Sequence, residues 1–268
     1  MNMTMDNLIG KDGFLVVKHS VLNGNSYDIG EHIEDALSYQ KHLGDRVAVP
    51  CFEGDLLQVA ETGEVVLTHQ NFFPLTQARY ETLRERRLAI SLNEVLDRVG
   101  GYKQRNPDQK LILCFEPKPI TTDETLNRTV EKLKEHGIQD AYFDTFFAGR
   151  LAALGKAFAK HQFTLPRSLH ILGNVGEARL HLERTPSEDY DIVTVPSGGS
   201  IGYVGENSIY GAVGSVEKLE WAAAHEGIRG AYVRLKEGSG VKGNLVKLWN
   251  SVTNTEKLRR ANLCLYEG

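Results

Sequence analysis

Val47-Ala48-Val49-Pro50-Cys51-Phe52-Glu53-Gly54-Asp55 is an apolar run of strand length that ends on two acids. The same layout recurs in Leu111-Ile112-Leu113-Cys114-Phe115-Glu116-Pro117-Lys118 and in Phe14-Leu15-Val16-Val17-Lys18-His19. Val65-Val66-Leu67-Thr68-His69 ends on a second histidine. Acids, bases and a lysine at strand C-terminal ends fit the rim of an α/β barrel, where active sites are built.

Outward from these runs, strand-length and helix-period segments alternate along the chain. The strand patterns fall at 14–19, 46–53, 65–69, 110–116, 139–144, 168–173, 190–196, 229–235 and 262–266. Helical spacing is read over Asp28–His42, Ser91–Val99, Leu126–His136, Ala148–Lys160 and Val216–His225. Ser91-Leu92-Asn93-Glu94 reads as a capping box, with Ser91 as N-cap and Glu94 three residues on. Strands alternating with helices imply βαβ units and a parallel sheet. About eight such units, with no early GxGxxG turn, predict a closed (β/α)8 TIM barrel rather than a doubly wound open sheet. Residues 1–268 are expected to form a single domain, with a small insertion after strand two. Thr62-Gly63 marks the 65–69 run as a hairpin-like return rather than a barrel strand. Either Gly230–Leu235 or Leu245–Trp249 serves as strand seven. A helical pattern at Thr255–Ala261 follows the second of these, and Leu263–Tyr266 then closes the barrel as strand eight.

The composition is that of an ordinary globular protein: 268 residues, 41% hydrophobic, 25% charged and a formal net charge of -4. That balance argues against nucleic-acid binding through a broad basic surface, and it leaves room for a local cationic site for an anionic small molecule. Cys51, Cys114 and Cys264 each lie in an apolar run and read as small buried hydrophobes in a reducing compartment. No signal peptide is evident in MNMTMDNLIGKDG, and no apolar stretch reaches the length of a membrane span. A cytoplasmic protein is the expectation; oligomeric state leaves no trace in the sequence.

Glu53 and Asp55 are two residues apart, so on a strand they point the same way. Two adjacent carboxylates repel and favour a cation between them, although the same spacing also occurs on solvated strand ends. With Glu116 they make a set of oxygen donors, which suits Mg²⁺ or Ca²⁺ rather than zinc. His19 and His69 at strand ends fit either proton-transfer groups or structural histidines. Lys118, two residues after Glu116, fits either an anion contact or a carboxylate–lysine pair holding the rim. The Gly-rich Ser197–Gly202 loop reads as a flexible lid or turn, with a phosphate contact as the other reading.

Taken in order, His19, Glu53-Gly54-Asp55, His69 and Glu116-Pro117-Lys118 resemble the glycerophosphodiester phosphodiesterase family. Ala89-Ile90-Ser91-Leu92-Asn93-Glu94-Val95-Leu96 is similar to that family's helix signature, and Tyr142-Phe143-Asp144 with Leu151-Ala152-Ala153-Leu154 looks like its strand-four segment. The resemblance runs from about residue 13 to 173. It implies a (β/α)8 barrel holding one divalent cation, Mg²⁺ or Ca²⁺, on Glu53, Asp55 and Glu116. It further implies His19 and His69 as the catalytic acid–base pair, Lys118 as a phosphate contact, and hydrolysis of a glycerophosphodiester in lipid metabolism. Trp249, in Trp249-Asn250-Ser251-Val252-Thr253-Asn254, is the counterpart of the family's strand-seven motif and a second substrate contact. The chain departs from the pattern at His19-Ser20-Val21, where the family carries an arginine after the histidine. It also departs at Gly24-Asn25-Ser26, where an acid is missing, and at Gln70, where an aspartate is usual. These departures keep two alternatives open: a phospholipase D-like or opine-type phosphodiesterase on the same barrel, and a non-catalytic barrel that binds an anionic ligand.

Overall fold

A computed structural model describes residues 3, 7–8, 15–19, 48–69, 74–108, 110–170, 192–196, 228–234 and 262–265, with side chains at 3, 7–8, 53–69, 74–108 and 110–169. The strands are β1 (Leu15–His19), β2 (Ala48–Gln58), β3 (Val65–Leu67), β4 (Ile90–Ser91), β5 (Ile112–Pro117), β6 (Ala141–Thr145), β7 (Arg167–His170), β8 (Ile192–Pro196), β9 (Ile228–Arg234) and β10 (Asn262–Leu265). All belong to one mixed sheet in the order β10-β1-β9-β8-β7-β6-β5-β2-β3-β4, with a further β10–β2 pairing. β1, β2 and β5 to β10 pair in parallel, and β3 and β4 pair antiparallel. Each expected strand run has a strand within it. Gly230–Leu235 is represented by β9, while Leu245–Trp249 lies outside the described residues, as do the helical patterns at 28–42, 216–225 and 255–261.

The strand order corrects the expectation of a barrel wound in simple sequence. β10 lies between β1 and β2, whereas a sequentially wound (β/α)8 barrel sets its first two strands side by side. A parallel crossover needs a dozen or more residues. The connection over residues 20–47 is much longer, so it can pass over an intervening strand.

Four helices with described side chains pack on the sheet: α1 (Gln77–Glu85), α2 (Leu92–Arg105), α3 (Asp123–Glu135) and α4 (Ala148–His161). Each of the last three buries a stripe at helical spacing: Val95, Leu96 and Val99; Leu126, Val130 and Leu133; Leu151, Leu154 and Phe158. Ser91 caps α2 as expected, its Oγ accepting from the Glu94 amide at 3.1 Å. The Glu94 carboxylate pairs with Arg98 and Arg84. Thr122 caps α3, with Asp123 and Glu124 in the first turn and Lys132 and Lys134 in the last, the arrangement that complements the helix dipole. Phe115 and Phe143 of neighbouring strands meet at 5.5 Å between centroids, and Phe143 meets Phe158 of α4 at 5.7 Å. That layer fixes one face of β5 and β6 against the helices, so the alternate residues of these strands face the other way. Among the described residues, no helix is long and apolar enough to cross a membrane.

β3 is the expected hairpin return. Gln58 Nε2 donates to the carbonyl of Gly63, which has φ +70 in the turn, and β3 then runs back along β2 with Leu67 opposite Leu56. The return is tight. A Cβ at Gly54 would lie 2.8 Å from Leu67 Cβ, on the backbone side of a buried residue that cannot swing away. Gly54→Ala is therefore expected to cost about 1–3 kcal/mol through overpacking. Urea unfolding checks this, and a midpoint equal to the parent's would contradict the close approach.

Candidate active site

The site is assembled by three segments. Glu53 and Asp55 share one face of β2. The parallel register sets Asp55 opposite Glu116 and Glu53 opposite Cys114, so Glu116 joins the same face from β5. The third segment is the end of the β3 return. Thr68 donates its amide to the Asp55 carbonyl at 3.2 Å and its hydroxyl to the Leu88 carbonyl at 2.8 Å. This anchors the chain one residue before His69. The imidazole then reaches both acids, with Nε2 3.2 Å from Glu53 Oε2 and Nδ1 3.6 Å from Asp55 Oδ1.

Lys118 follows the end of β5. Its Nζ lies 2.5 Å from Glu116 Oε1 and 3.1 Å from Asp55 Oδ1. The segment carrying it is tied down on three sides. The Lys118 amide donates to Thr121 Oγ1 and that hydroxyl donates to the Leu56 carbonyl, both at 2.8 Å. Thr145 Oγ1 donates to the Pro117 carbonyl at 2.7 Å, and Arg150 Nη1 to the Thr121 carbonyl at 2.5 Å. Thr121 is thus a positioning residue that the sequence motifs do not flag. Its signal is the turn sequence Pro119-Ile120-Thr121-Thr122 directly after the E-x-K.

The acids are the more buried groups and the cations the more exposed. Glu53, Asp55 and Glu116 are 3%, 2% and 9% exposed, whereas the His69 and Lys118 side chains are 17% and 19% exposed. Burial raises the Glu53 carboxyl above its ordinary range, with His69 beside it opposing the rise. Burial and the charge of Asp55 push Glu116 well up against the opposing charge of Lys118. For Asp55, burial would raise the carboxyl, but its contact with His69 and the charge of Lys118 prevail and hold it low. For His69, burial opposes the charged form, yet Glu53 and Asp55 outweigh it and move the imidazole from 6.5 up to about 10. Lys118 is likewise raised: burial alone would lower it, and Asp55 and Glu116 outweigh that.

In chelator, the raised imidazole makes stability depend on pH. The folded-state pKa of His69 lies above its unfolded value, so its stabilising contribution is present in full below pH 6.5 and is lost as pH rises towards about 10. Melting temperatures recorded in chelator from pH 6 to 10 should fall more steeply for the parent than for His69→Gln. Parallel curves would show that the imidazolium does not sit between the two acids.

The donor set fits a divalent cation. Glu53 Oε2 and Asp55 Oδ1 are buried with no hydrogen-bond partner, although both lie within ion-pair reach of cationic groups. One ligand atom each from Glu53, Asp55 and His69 can be chosen so that all lie within 4.8 Å of one another. The family resemblance implies Glu116 in the metal set and His69 outside it. In the structure His69 stands against the β2 acids and Glu116 pairs with Lys118.

Of the residues singled out in the sequence, Glu53, Asp55, Glu116, His69 and Lys118 come together. His19 is the last residue of β1, which β10 separates from β2. Trp249 and the Ser197–Gly202 loop lie outside the described residues. Asp144, 2% exposed on β6, stands in register with Ser168 of β7. Two positions from Tyr142, which is opposite Cys114, it falls in the same alternate set as the β5 site residues.

No family model matches the chain, and no curated protein matches it. Solved structures give distant likenesses. A putative glycerophosphoryl diester phosphodiesterase from Silicibacter pomeroyi matches with a TM-score of 0.49 and 13% identity, over 91% of this chain and 95% of its own. A glycerophosphodiester phosphodiesterase from Parabacteroides distasonis matches at 0.44 and 12%, over 90% and 99%. A dihydropteroate synthase from Coxiella burnetii, in complex with pteroic acid, matches at 0.46 and 11%, over 96% and 88%. Likenesses this distant do not assign an activity, so the functional reading rests on the site.

Proposed function

We propose that the chain folds as one (β/α)8-type barrel over residues 1–268 and hydrolyses a glycerophosphodiester or related small phosphodiester. The products are an alcohol and a phosphomonoester, and the reaction depends on a divalent cation. The observation that carries this reading is the convergence of Glu53, Asp55, Glu116, His69 and Lys118 from three separate segments on one buried, acidic spot. Their agreement in order with the E-x-D, His and E-x-K elements named above supports it.

Glu53, Asp55 and Glu116 would hold the cation, and their oxygen donors favour Mg²⁺ or Ca²⁺. Bound there, it would polarise a phosphoryl oxygen and offset negative charge in the transition state. Lys118, held beside the acids, adds an ammonium for the phosphate. His69, set against the β2 acids, would donate a proton to the leaving alkoxide, a poor leaving group without it. His19 takes the proton from the attacking water.

A second assignment is favoured by the 4.8 Å grouping of Glu53, Asp55 and His69. With His69 as third ligand, the mixed nitrogen and oxygen set would prefer a metal such as Zn²⁺ or Mn²⁺. A metal-supplemented assay across glycerophosphocholine, glycerophosphoethanolamine, lysophospholipids and bis(p-nitrophenyl) phosphate tests the function, with His19→Ala as control. Turnover with Mg²⁺ or Ca²⁺ that His19→Ala loses supports the first assignment, and turnover with Zn²⁺ or Mn²⁺ alone supports the second. A site that hydrolyses none of these with any of the four metals would favour the non-catalytic anion-binding barrel.

A further inference from the structure

Among the described residues, His69 and Lys118 are the cationic groups paired with the three acids. Lys118 stands between Asp55 and Glu116. Its Nζ donates to Glu116 Oε1 at 2.5 Å and lies 3.1 Å from Asp55 Oδ1. Those acids are also two of the proposed ligands of the divalent cation. Mg²⁺ or Ca²⁺ held by the same oxygens would sit about 2.0–2.6 Å from each of them. The ammonium and the ion would then compete for one spot and the same lone pairs, and burial screens two like charges there only weakly. The ammonium is the one with somewhere to go. The Lys118 side chain is 19% exposed against 3% for Asp55, and its Nζ lies over the half-buried ring of Phe146, 6.0 Å from the centroid. The face of an aromatic ring attracts a cation. Phe146 follows Thr145, whose hydroxyl bond to the Pro117 carbonyl ties the ring's segment to the lysine's. Rotation about the four-carbon stem can therefore carry the ammonium off the carboxylates while the Lys118 amide stays anchored on Thr121.

We propose that Lys118 is the built-in counter-cation of this site: its ammonium holds the place between Asp55 and Glu116 that a divalent cation takes, and the ion binds by displacing it towards Phe146. Ion binding is thereby the switch that frees the ammonium for an anionic substrate. The inference rests on the cation of the reading proposed above, while its test reads ion binding apart from turnover. The apparent affinity of a site is its intrinsic affinity reduced by the fraction of molecules open to the ligand. With the ammonium off the acids in about 1–10% of molecules, the parent binds the ion about 10–100-fold more weakly than a chain without that charge.

The test is calorimetric titration of Mg²⁺ and Ca²⁺ into the full chain stripped with chelator. Lys118→Met keeps the apolar stem and Lys118→Gln keeps a hydrogen-bond donor, both without the charge. Each should bind the ion about 10–100-fold tighter than the parent. Lys118→Arg keeps the charge and should bind the ion no tighter. In the parent labelled with ¹⁵N-lysine, the Lys118 Nζ resonance, identified by its absence from Lys118→Arg, should shift as Mg²⁺ is added. That readout needs no neutral variant, so it decides the matter if both of them melt early. Neutral variants that bind the ion equally or more weakly overturn the proposal, as does a resonance that saturating ion leaves unchanged; the cation reading stands in either case. Ion binding by neither parent nor variants overturns both. Tighter binding by the neutral variants, with no hydrolysis of bis(p-nitrophenyl) phosphate by the parent, leaves the inference standing and removes the phosphodiesterase reading.

Discussion

Glu53→Ala is expected to abolish the proposed cation-dependent hydrolysis, with kcat/KM falling at least ~10³-fold, because the variant would lose a proposed ligand and with it several kcal/mol of transition-state charge stabilisation. The companion effect on stability separates this from simple unfolding. A ligand that binds the native state at 100 times its Kd adds about 2.7 kcal/mol. The chelated parent should therefore melt higher on addition of Mg²⁺ or Ca²⁺, and Glu53→Ala should not. In chelator the variant should melt below the parent, because it loses one partner of the buried pair with His69, so the readout is the cation-induced shift within each protein. Differential scanning fluorimetry with and without cation measures both effects. Equal cation shifts in parent and variant would remove Glu53 from the metal set.

His69→Ala is expected to lower kcat by about 10²–10⁴-fold, the usual contribution of a positioned proton-transfer group. The distinguishing readout is the cation. With Glu53, Asp55 and Glu116 as ligands, the variant keeps the cation-induced rise in melting temperature while losing turnover. With His69 as third ligand it loses both. Titration of Mg²⁺ and Zn²⁺ into the chelated variant gives the answer directly.

The sequence carries the strands well and their order poorly. Runs such as Leu111–Phe115 are apolar without a break because both faces are buried, and that signal survives without any alignment. The return of β3 is legible from Thr62-Gly63, a turn that costs little where φ is positive. The helix Gln77–Glu85 leaves no such pattern because only Tyr80 and Leu83 are buried in it, too few to make a stripe. The place of β10 between β1 and β2 is beyond reach, since the length of the 20–47 connection permits a stride over a strand but does not require one. In the site, the two-residue spacings at 53–55 and 116–118 reveal which side chains share a face. They do not reveal that the β3 return lays His69 between the acids, because that depends on register, whereas the Glu116–Lys118 pair is the carboxylate–lysine pairing that the two-residue spacing itself offers. The need for glycine between Glu53 and Asp55 is of the same kind, for it arises from Leu67 on another strand.

The acids of β2 and β5 are proposed to hold a cation on which phosphodiester hydrolysis depends. The most direct test is the hydrolysis rate of bis(p-nitrophenyl) phosphate by protein stripped with chelator and then resupplied with Mg²⁺ or Ca²⁺. The expected result is loss of turnover on stripping and its return in the parent but not in Glu53→Ala. Turnover that survives chelation, or that returns equally in Glu53→Ala, would contradict the claim.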